Sequence, residues 1–481
     1  MDINKKFFAK HKIAIVTNRA PVSPITRSNS TIIQRSIGGL VAALEPLIGQ
    51  FDGAWFCTVS KTSKLAKISL DHLPYKVIPL ELTDVELAKY YEGYSNKQLW
   101  PLFHYFQMHC IFDKDDWEMY KAVNERMADL ILRNVEEDHF IWIHDYHFML
   151  LPKILRKRNP KLKIGFFLHT PFPNQEIFRV LANSAELIQG LLGADLIGFH
   201  TKQYVEHFIN CAKMLIPDMD KELNQNILIY NGRKIKVGNF PISIDYEYIS
   251  KKASSEKVVK KSGKLRAAYQ SEFVGISVDR LDYTKGILER LNAIECFFEK
   301  YPQYLKKVTF LQISVPSRTK VDTYQELKRK VDETIGRING KFSKNGWRPI
   351  FYIYSTLAFD ELLAHYLMSD LMLVVPLRDG MNLVAKEYIA SNLSSHGVLI
   401  LSEFAGAIEE LKDALHVNPY HSELVADAIK QAIEMPVEEK TLRMHHLREK
   451  VKANDVYNWI NRYFTSFNEI VQENKKSSKV C

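Results

Sequence analysis

The run Pro376-Leu377-Arg378-Asp379-Gly380-Met381-Asn382-Leu383-Val384-Ala385-Lys386-Glu387 gathers the residue types in this chain best suited to chemistry. It follows the apolar run Leu371–Val375, which reads as a buried parallel strand. It precedes a segment with helical spacing, Leu383 to Ser391. A strand ends, a polar turn follows and a helix begins. In open α/β sheets, ligands sit at the carboxyl ends of strands. Gly380 lets the backbone approach a ligand closely, and the free amides of the helix start can face a phosphate or a sugar hydroxyl. Asp379 and Glu387 supply two carboxylates, one in the turn and one about two helical turns in. That placing suits hydroxyl recognition on a ribose or a hexose. The plainer reading is a βα turn whose acid caps the helix.

A second constellation has the same strand–loop–helix setting. In Val278-Asp279-Arg280-Leu281-Asp282-Tyr283-Thr284-Lys285-Gly286, Arg280 and Lys285 can converge on one point if the loop curls back. Arginine offers a planar fork to phosphate oxygens and lysine a movable point charge. With the Asp379–Glu387 turn, they make a site for a sugar-nucleotide diphosphate. The alternative is salt bridging to Asp279 and Asp282. Arg318 also follows a strand end, where a simple turn arginine is the alternative.

The first half carries Thr17-Asn18-Arg19, Ser36-Ile37-Gly38-Gly39-Leu40, His144-Asp145-Tyr146-His147 and His169-Thr170-Pro171-Phe172-Pro173. Gly38-Gly39 before a helix can admit a ligand to its N-terminus, or can be a tight turn. His144, His147 and His169 invite a metal reading, but carboxylates at ligand spacing are missing and there is no His-Glu-x-x-His. Walker A, Gly-x-Ser-x-Gly and Gly-x-Gly-x-x-Gly runs are also missing, which argues against a kinase, a serine hydrolase or an NAD enzyme.

The elements that must position these groups alternate. Strands are expected at Ile13–Thr17, Phe140–His144, Lys163–Leu168, Leu196–Phe199, Val274–Asp279, Thr309–Ser314, Ile350–Tyr354, Leu371–Val375 and Val398–Leu401. Helix-like segments lie between most of them: Leu40–Leu47, Trp117–Asn134, Gln203–Met214, Gly286–Tyr301, Tyr324–Gly336 and Phe359–Met368. This alternation predicts α/β architecture with parallel sheets covered on both faces. The pattern weakens over Tyr246–Leu265, where a lysine-rich stretch reads as a solvated helix or linker. The tail Glu473–Lys479 reads as frayed.

With 481 residues the chain is too long for one core and long enough for two domains. A boundary is placed near Asn239–Asp245, with residues 1–240 and 241–481 as the two halves and a ligand cleft expected between them. Hydrophobic residues make up 46% and charged residues 25%, ordinary for a globular protein. The net charge of +9 suits anionic ligands, but no RNA- or DNA-binding pattern accompanies it, so no nucleic-acid partner is expected. Cys57, Cys110, Cys211, Cys296 and Cys481 are few, scattered and odd in number, which predicts a reducing, cytoplasmic setting. The apolar run Ile13–Val16 reads as a strand rather than a signal peptide, and no segment is long enough to span a membrane.

Taken in order, the motifs resemble those of the trehalose-6-phosphate synthase family, glycosyltransferase family 20, from about Ile13 to Phe467. They are Asn18-Arg19; Gly38-Gly39-Leu40; Tyr91 with Ser95-Asn96 and Leu99-Trp100-Pro101; Trp142 to His147; and Gly165 to Pro173. Arg280 to Gly286, Pro316-Ser317-Arg318, Gly336 to Gly340, Arg378 to Glu387 and Leu401 to Gly406 complete the series.

The resemblance implies a GT-B fold: two Rossmann-like domains facing a central cleft, the last helix crossing back to the first domain. It implies a retaining glycosyltransferase that moves glucose from UDP-glucose to glucose 6-phosphate without a metal or other cofactor for chemistry. Arg280 and Lys285 would bind the donor diphosphate and Glu387 the ribose hydroxyls. Asp379 and the backbone from Gly380 through Met381 and Asn382 to Leu383 would position the hexose, with Gly39 also at the donor. Asp145 would bind acceptor hydroxyls, His169 would lie beside the reacting glucose, and Arg19, Tyr91, Trp100 and Arg318 would surround the acceptor phosphate. Asp145, His169, Arg280, Lys285 and Asp379 are the implied catalytic set. No phosphatase domain is expected to follow, so the product leaves still phosphorylated. The family often forms dimers or tetramers.

Some positions depart from the family pattern. Thr58 stands where a tryptophan is usual, Ile37 where a small residue is common, Thr170 where isoleucine is frequent and Ser243 where glycine is usual. The Asn18–Gly38 segment reads as a long polar loop containing Arg27 and Arg35. All but Ser243 fall in the half expected to bind the acceptor. A sister activity on glycerol 3-phosphate or a cyclitol phosphate is therefore the alternative, and a non-catalytic module of the same fold is a third reading.

Overall fold

In the computed structural model, which describes residues 12–27, 30–35, 39–49, 53–63, 65, 70, 73–217, 219, 226–269, 271–319 and 321–477, the chain divides into two units. One is Met1–Pro241 with Tyr457–Cys481, the other Ile242–Val456. Each is an α/β unit built on a largely parallel sheet.

The strands of the first unit are β1 (Ile13–Val16), β2 (Val22–Arg27), β3 (Ser30–Arg35), β4 (Ala54–Ser60), β5 (Lys76–Leu82), β6 (Phe140–His144), β7 (Lys163–Phe167), β8 (Leu196–Phe199), β9 (Ile227–Tyr230) and β10 (Arg233–Asn239). Eight of them form one sheet in the order β5-β4-β1-β6-β7-β8-β10-β9, parallel except for β9 against β10. β1 is buried at every residue, as expected of a central strand covered on both faces. The chain runs outward from β1 through β4 and then returns to the other side of β1 at β6. The crevice between the carboxyl ends of β1 and β6 is thus a topological switch point. The Asn18–Gly38 segment is not wholly loop: β2 and β3 pair antiparallel, Val22 opposite Arg35.

The last helix, Val456–Ser477, packs on this first sheet. Trp142 stacks on Trp459 and Tyr463 at centroid distances of 5.3 and 4.7 Å. The Tyr463 hydroxyl donates to the carbonyls of Phe166 and Leu196 at 3.1 and 3.3 Å. A Cβ on Gly165 would stand 2.6 Å from that hydroxyl, so the strand glycine makes room for the ring. Truncating one such buried aromatic to alanine costs about 3–5 kcal/mol. As far as Ser477 the tail is helical rather than frayed, while residues 478 and 479 of the expected frayed stretch lie outside the described residues. The helix continues to Ser477, and the Asn474 amide exchanges hydrogen bonds with the Lys234 backbone at 3.1 and 3.0 Å.

The second unit holds β11 (Phe273–Arg280), β12 (Val308–Val315), β13 (Ile350–Tyr354), β14 (Leu371–Val374), β15 (Val398–Ser402) and β16 (Leu415–Val417). They form a sheet in the order β13-β12-β11-β14-β15-β16, parallel throughout. The order reverses between β11 and β14, so this switch point lies between the two motifs that the sequence singled out. The helix Ile287–Lys300 buries Leu291, Ile294, Phe297 and Phe298 against β11 and β12, as its apolar spacing predicts. Tyr246–Leu265 falls within two helices, Tyr246–Ala253 and Glu256–Tyr269. Lys252 and Lys257 pair with Asp360 at 2.8 and 2.7 Å, and Lys261 pairs with Glu361 at 3.1 Å.

Candidate active site

At the switch point of the second unit, β11 ends in Asp279-Arg280 and the chain turns through the short helix Tyr283–Lys285. Asp282 caps that turn, accepting from the Thr284 amide at 3.1 Å and the Thr284 hydroxyl at 2.9 Å. Its other oxygen accepts from Arg318 Nη1 at 2.7 Å and from the Tyr324 hydroxyl at 3.0 Å. Burial alone would raise the Asp282 carboxyl, but the charges of Arg318, Arg280 and Lys285 prevail and hold it at about 2. An always-ionised carboxylate therefore fixes the loop that carries the cations. Beneath it, buried Asp279 accepts from buried Arg290 at 2.6 Å. Gly286 has φ +60°, and a Cβ there would meet the Val375 carbonyl at 2.5 Å. Glycine is thus what lets this loop lie against the chain leaving β14.

That neighbouring chain carries Asp379. Lys285 Nζ donates to Asp379 Oδ2 at 2.6 Å, so the two motifs do meet. Asp379 also accepts from Asn382 Nδ2 at 3.1 Å. Asn382, at φ +80°, caps the helix Leu383–Ser391 by accepting from the Ala385 amide at 3.1 Å. The cap of this helix is therefore Asn382, not Asp379. Asp379 is left to the Lys285 ammonium, and the Asp379–Asn382 bond sets the turn that opens the helix. Gly406 closes the turn from β15; a Cβ there would sit 2.0 Å from the Gly380 carbonyl.

Inside that helix, Glu387 accepts from the Tyr366 hydroxyl at 3.2 Å. Burial pushes its carboxyl up to about 7, and the Tyr366 bond opposes the shift. Its neighbour Lys386 is buried and donates to the Ile242 carbonyl at 2.9 Å and to Glu410 at 2.6 Å. Lys386 anchors the helix, while Glu387 stands on the part-exposed side. Tyr366 and Tyr324 carried no sequence signal beyond being tyrosines in helices with apolar faces.

In the first unit, the segment leaving β1 is tied down residue by residue. Trp55 Nε1 donates to Thr17 Oγ1 at 2.7 Å, and Thr17 donates to the Arg19 carbonyl at 2.7 Å. Thr58 lies within 2.9 Å of both the Asn18 carbonyl and Asn18 Oδ1. Tyr90 donates to the same Oδ1 at 3.1 Å and reaches the His147 carbonyl at 3.4 Å. Asn18 thus joins the exposed Arg19, the wide-turn helix Ala88–Leu99 that holds Tyr91, and the chain leaving β6. Wide helical turns recur at functional sites. Tyr91 stacks on His147 at 5.8 Å. Trp100 is 6% exposed and packs against His104 at 4.1 Å and Tyr146 at 5.8 Å.

Asp145 leaves β6 at φ 73°, ψ 170°, a region that non-glycine residues rarely adopt. Its carboxylate accepts from the His169 amide at 3.3 Å. His144 Nδ1 and His169 Nε2 lie 3.0 Å apart. Burial lowers both imidazoles, His144 to about 3 and His169 well below the ordinary value, so both are neutral near pH 7.

The structure brings Arg280, Lys285 and Asp379 to one switch point, with Gly380 to Glu387 continuing from it. It ties Arg19, Tyr91, Asp145 and His169 into the other unit's hydrogen-bonded frame. Gly39 opens the helix Gly39–Ile48, whereas Ile37 and Gly38 lie outside the described residues. Arg318 belongs to the second unit, not to the frame of Arg19, Tyr91 and Trp100. Its guanidinium is committed to Asp282, at φ +45°. Among the described residues, the group close enough to share an ion is Glu136, Asp138 and His139, two of them exposed acids.

The family model described as Glycosyltransferase family 20 matches residues 11–469. The UDP-forming alpha,alpha-trehalose-phosphate synthase of Candida albicans is 39% identical over 466 residues, covering 95% of each chain. A solved E. coli structure bound with UDP-2-fluoro glucose is 34% identical at TM-score 0.86, covering 95% of this chain and 98% of that one. A UDP-forming alpha,alpha-trehalose-phosphate synthase from Burkholderia xenovorans, solved in complex with glucose-6-phosphate, is 31% identical at TM-score 0.86, covering 95% and 100%.

Proposed function

The chain belongs to glycosyltransferase family 20, and from that premise we propose that it is a retaining transferase making α,α-trehalose 6-phosphate and UDP from UDP-glucose and glucose 6-phosphate. The observation that carries this reading is the meeting of Lys285 and Asp379 at 2.6 Å beside the Arg280 loop. A cation and a carboxylate at one switch point suit a donor whose diphosphate and hexose are held side by side.

In this reading the second unit, from Ile242 onward, holds the donor. Arg280 and Lys285 face the diphosphate, Glu387 accepts from the ribose hydroxyls, and Asp379 with the backbone from Gly380 to Leu383 fixes the hexose. Gly39 belongs with the donor as well. The first unit holds the acceptor through Arg19, Tyr91, Trp100 and Asp145, while Arg318, engaged by Asp282, steadies the loop that carries Arg280 and Lys285. The bond from the glucose anomeric carbon to the UDP oxygen breaks as the anomeric oxygen of glucose 6-phosphate attaches on the same face. The attacking hydroxyl passes its proton to the departing phosphate oxygen. Two cations can neutralise that leaving group without a metal, so no metal is needed for the chemistry. Catalysis then rests on positioning and on stabilising the diphosphate's charge.

Among the described residues no helix is long and apolar enough to cross a membrane. The described cysteines are unpaired, which supports a reducing, cytoplasmic setting. Exposed Met108, Ile111 and Phe112 support self-association into a homo-oligomer.

A second reading, transfer to glycerol 3-phosphate or a cyclitol phosphate, is favoured by Thr58 and by buried Thr170 in the acceptor unit. UDP release from purified protein and UDP-glucose, with glucose 6-phosphate, glycerol 3-phosphate or no acceptor, separates the readings. Release dependent on glucose 6-phosphate supports the first; release only with glycerol 3-phosphate supports the second.

A further inference from the structure

We propose that His144 is a positioning residue for the transfer: its Nδ1–H donates to His169 Nε2 and holds the His169 imidazole in one neutral tautomer, with Nδ1–H as the donor it can offer to a ligand. This rests on the reading of His169 as the group beside the transferred glucose.

The contact between the two rings allows two proton arrangements. Either His144 Nδ1–H donates to His169 Nε2, or His169 Nε2–H donates to His144 Nδ1. The distance of 3.0 Å fits both. The far side of His144 decides between them. Its Nε2 is buried and meets no hydrogen-bonding protein atom. In the second arrangement that nitrogen would carry a proton, burying a donor with nothing to accept it. In the first it is only a lone pair. Orphaned buried N–H groups are rarer than under-satisfied acceptors, so the proton belongs on His144 Nδ1. His169 must then carry its own proton on Nδ1.

The surroundings lock the donor ring in place. His144 is 0% exposed in β6, with the Trp142 ring at 4.6 Å and the His169 ring at 5.2 Å. His169 itself is part-exposed and is flanked by Phe167 at 4.7 Å and His200 at 5.3 Å. The His169 amide donates to Asp145, so backbone and ring are fixed by separate partners. A ring with one prescribed donor face cannot rotate its hydrogen-bond character to suit water, and that rigidity is what positions a sugar hydroxyl.

The test uses the full chain with ¹⁵N-labelled histidine, His169 being assigned by its loss in His169→Gln. Long-range ¹H–¹⁵N spectra report which ring nitrogen carries the proton. We expect a pyrrole-type Nδ1 and a pyridine-type Nε2 in the parent protein. His144→Asn, whose amide nitrogen stands near the original Nδ1, should keep that pattern and most of kcat. His144→Leu should give mixed tautomers and a lower kcat. A proton on Nε2 in the parent protein would overturn the proposal. So would unchanged tautomers in a folded His144→Leu, whatever its kcat. The spectra need no substrate, so failure of the transferase reading shows separately as absence of UDP release from the parent protein.

Discussion

Lys285 and Asp379 lie 94 positions apart in sequence, yet Lys285 Nζ stands 2.6 Å from Asp379 Oδ2. The pair is part-buried, with side-chain exposures of 11% and 14%. It joins the loop after β11 to the loop after β14. In the proposed reading, the ammonium that would meet the diphosphate is held in place by the carboxylate that would meet the hexose.

Removing either cation should therefore cost catalysis rather than folding. Arg280→Ala and Lys285→Ala should each lower kcat by about a hundredfold or more, the scale for losing one preorganised group at a developing charge. Circular dichroism and the unfolding midpoint should stay near the parent values. Near-normal turnover in both variants would remove the proposed leaving-group stabilisation.

In the proposed reading, Glu387 gives donor binding a pH dependence with a defined sign. Burial holds its carboxyl at about 7, so it is protonated below that pH and ionised above it. Ionised carboxylates accept hydroxyl hydrogen bonds more strongly. UDP affinity, measured calorimetrically, should rise as pH increases through 7. Glu387→Gln should flatten that dependence. Because the folded value lies above the unfolded one of 4.5, this group also costs folding stability progressively as pH rises from 4.5 to 7.

Asp282 behaves in the opposite sense. Its folded carboxyl, at about 2, lies below the ordinary side-chain value of 3.8. The stability it contributes is present above pH 3.8 and is lost as pH falls from there toward 2. Asp282→Asn should lower stability by about 3–5 kcal/mol, because Arg318 would then be buried without its carboxylate. Denaturant melts at pH 7 and pH 3 should show that difference narrowing in acid.

Thr58 should act on the acceptor alone. Thr58→Ala removes the hydroxyl that holds Asn18 beside Arg19. One lost hydrogen bond of this kind is worth about 1 kcal/mol. KM for the acceptor should rise several-fold while KM for UDP-glucose stays put, and Thr58→Ser should restore the parent value. Equal changes in both constants would place Thr58 elsewhere in the mechanism.

The central strands were legible because full burial leaves continuous apolar runs: Phe140–His144 and Leu196–Phe199 match the structure end to end; the edge strand Ile350–Tyr354 also matches, although most of it is only half-buried. The missed strands have physical reasons. β5 contains Pro79 and lies at the sheet edge, and β4 mixes Thr58 and Ser60 into its apolar run. The β9–β10 hairpin did leave a signal: Asn231-Gly232, both at positive φ, is the turn pair such hairpins favour. At the site, residue types marked Arg280, Lys285, Asp379 and Glu387 as candidates. The Asp282–Arg318–Tyr324 network and the His144–His169 contact depend on distant segments meeting, which no local spacing encodes.

The most direct measurement supplies the protein with UDP-glucose labelled with ¹³C at the anomeric carbon, plus unlabelled glucose 6-phosphate, and follows that carbon by NMR. The account predicts a phosphorylated, non-reducing disaccharide in which the labelled carbon keeps the α configuration, formed together with UDP. An inverted β signal, or label released only as free glucose in the presence of glucose 6-phosphate, would contradict it.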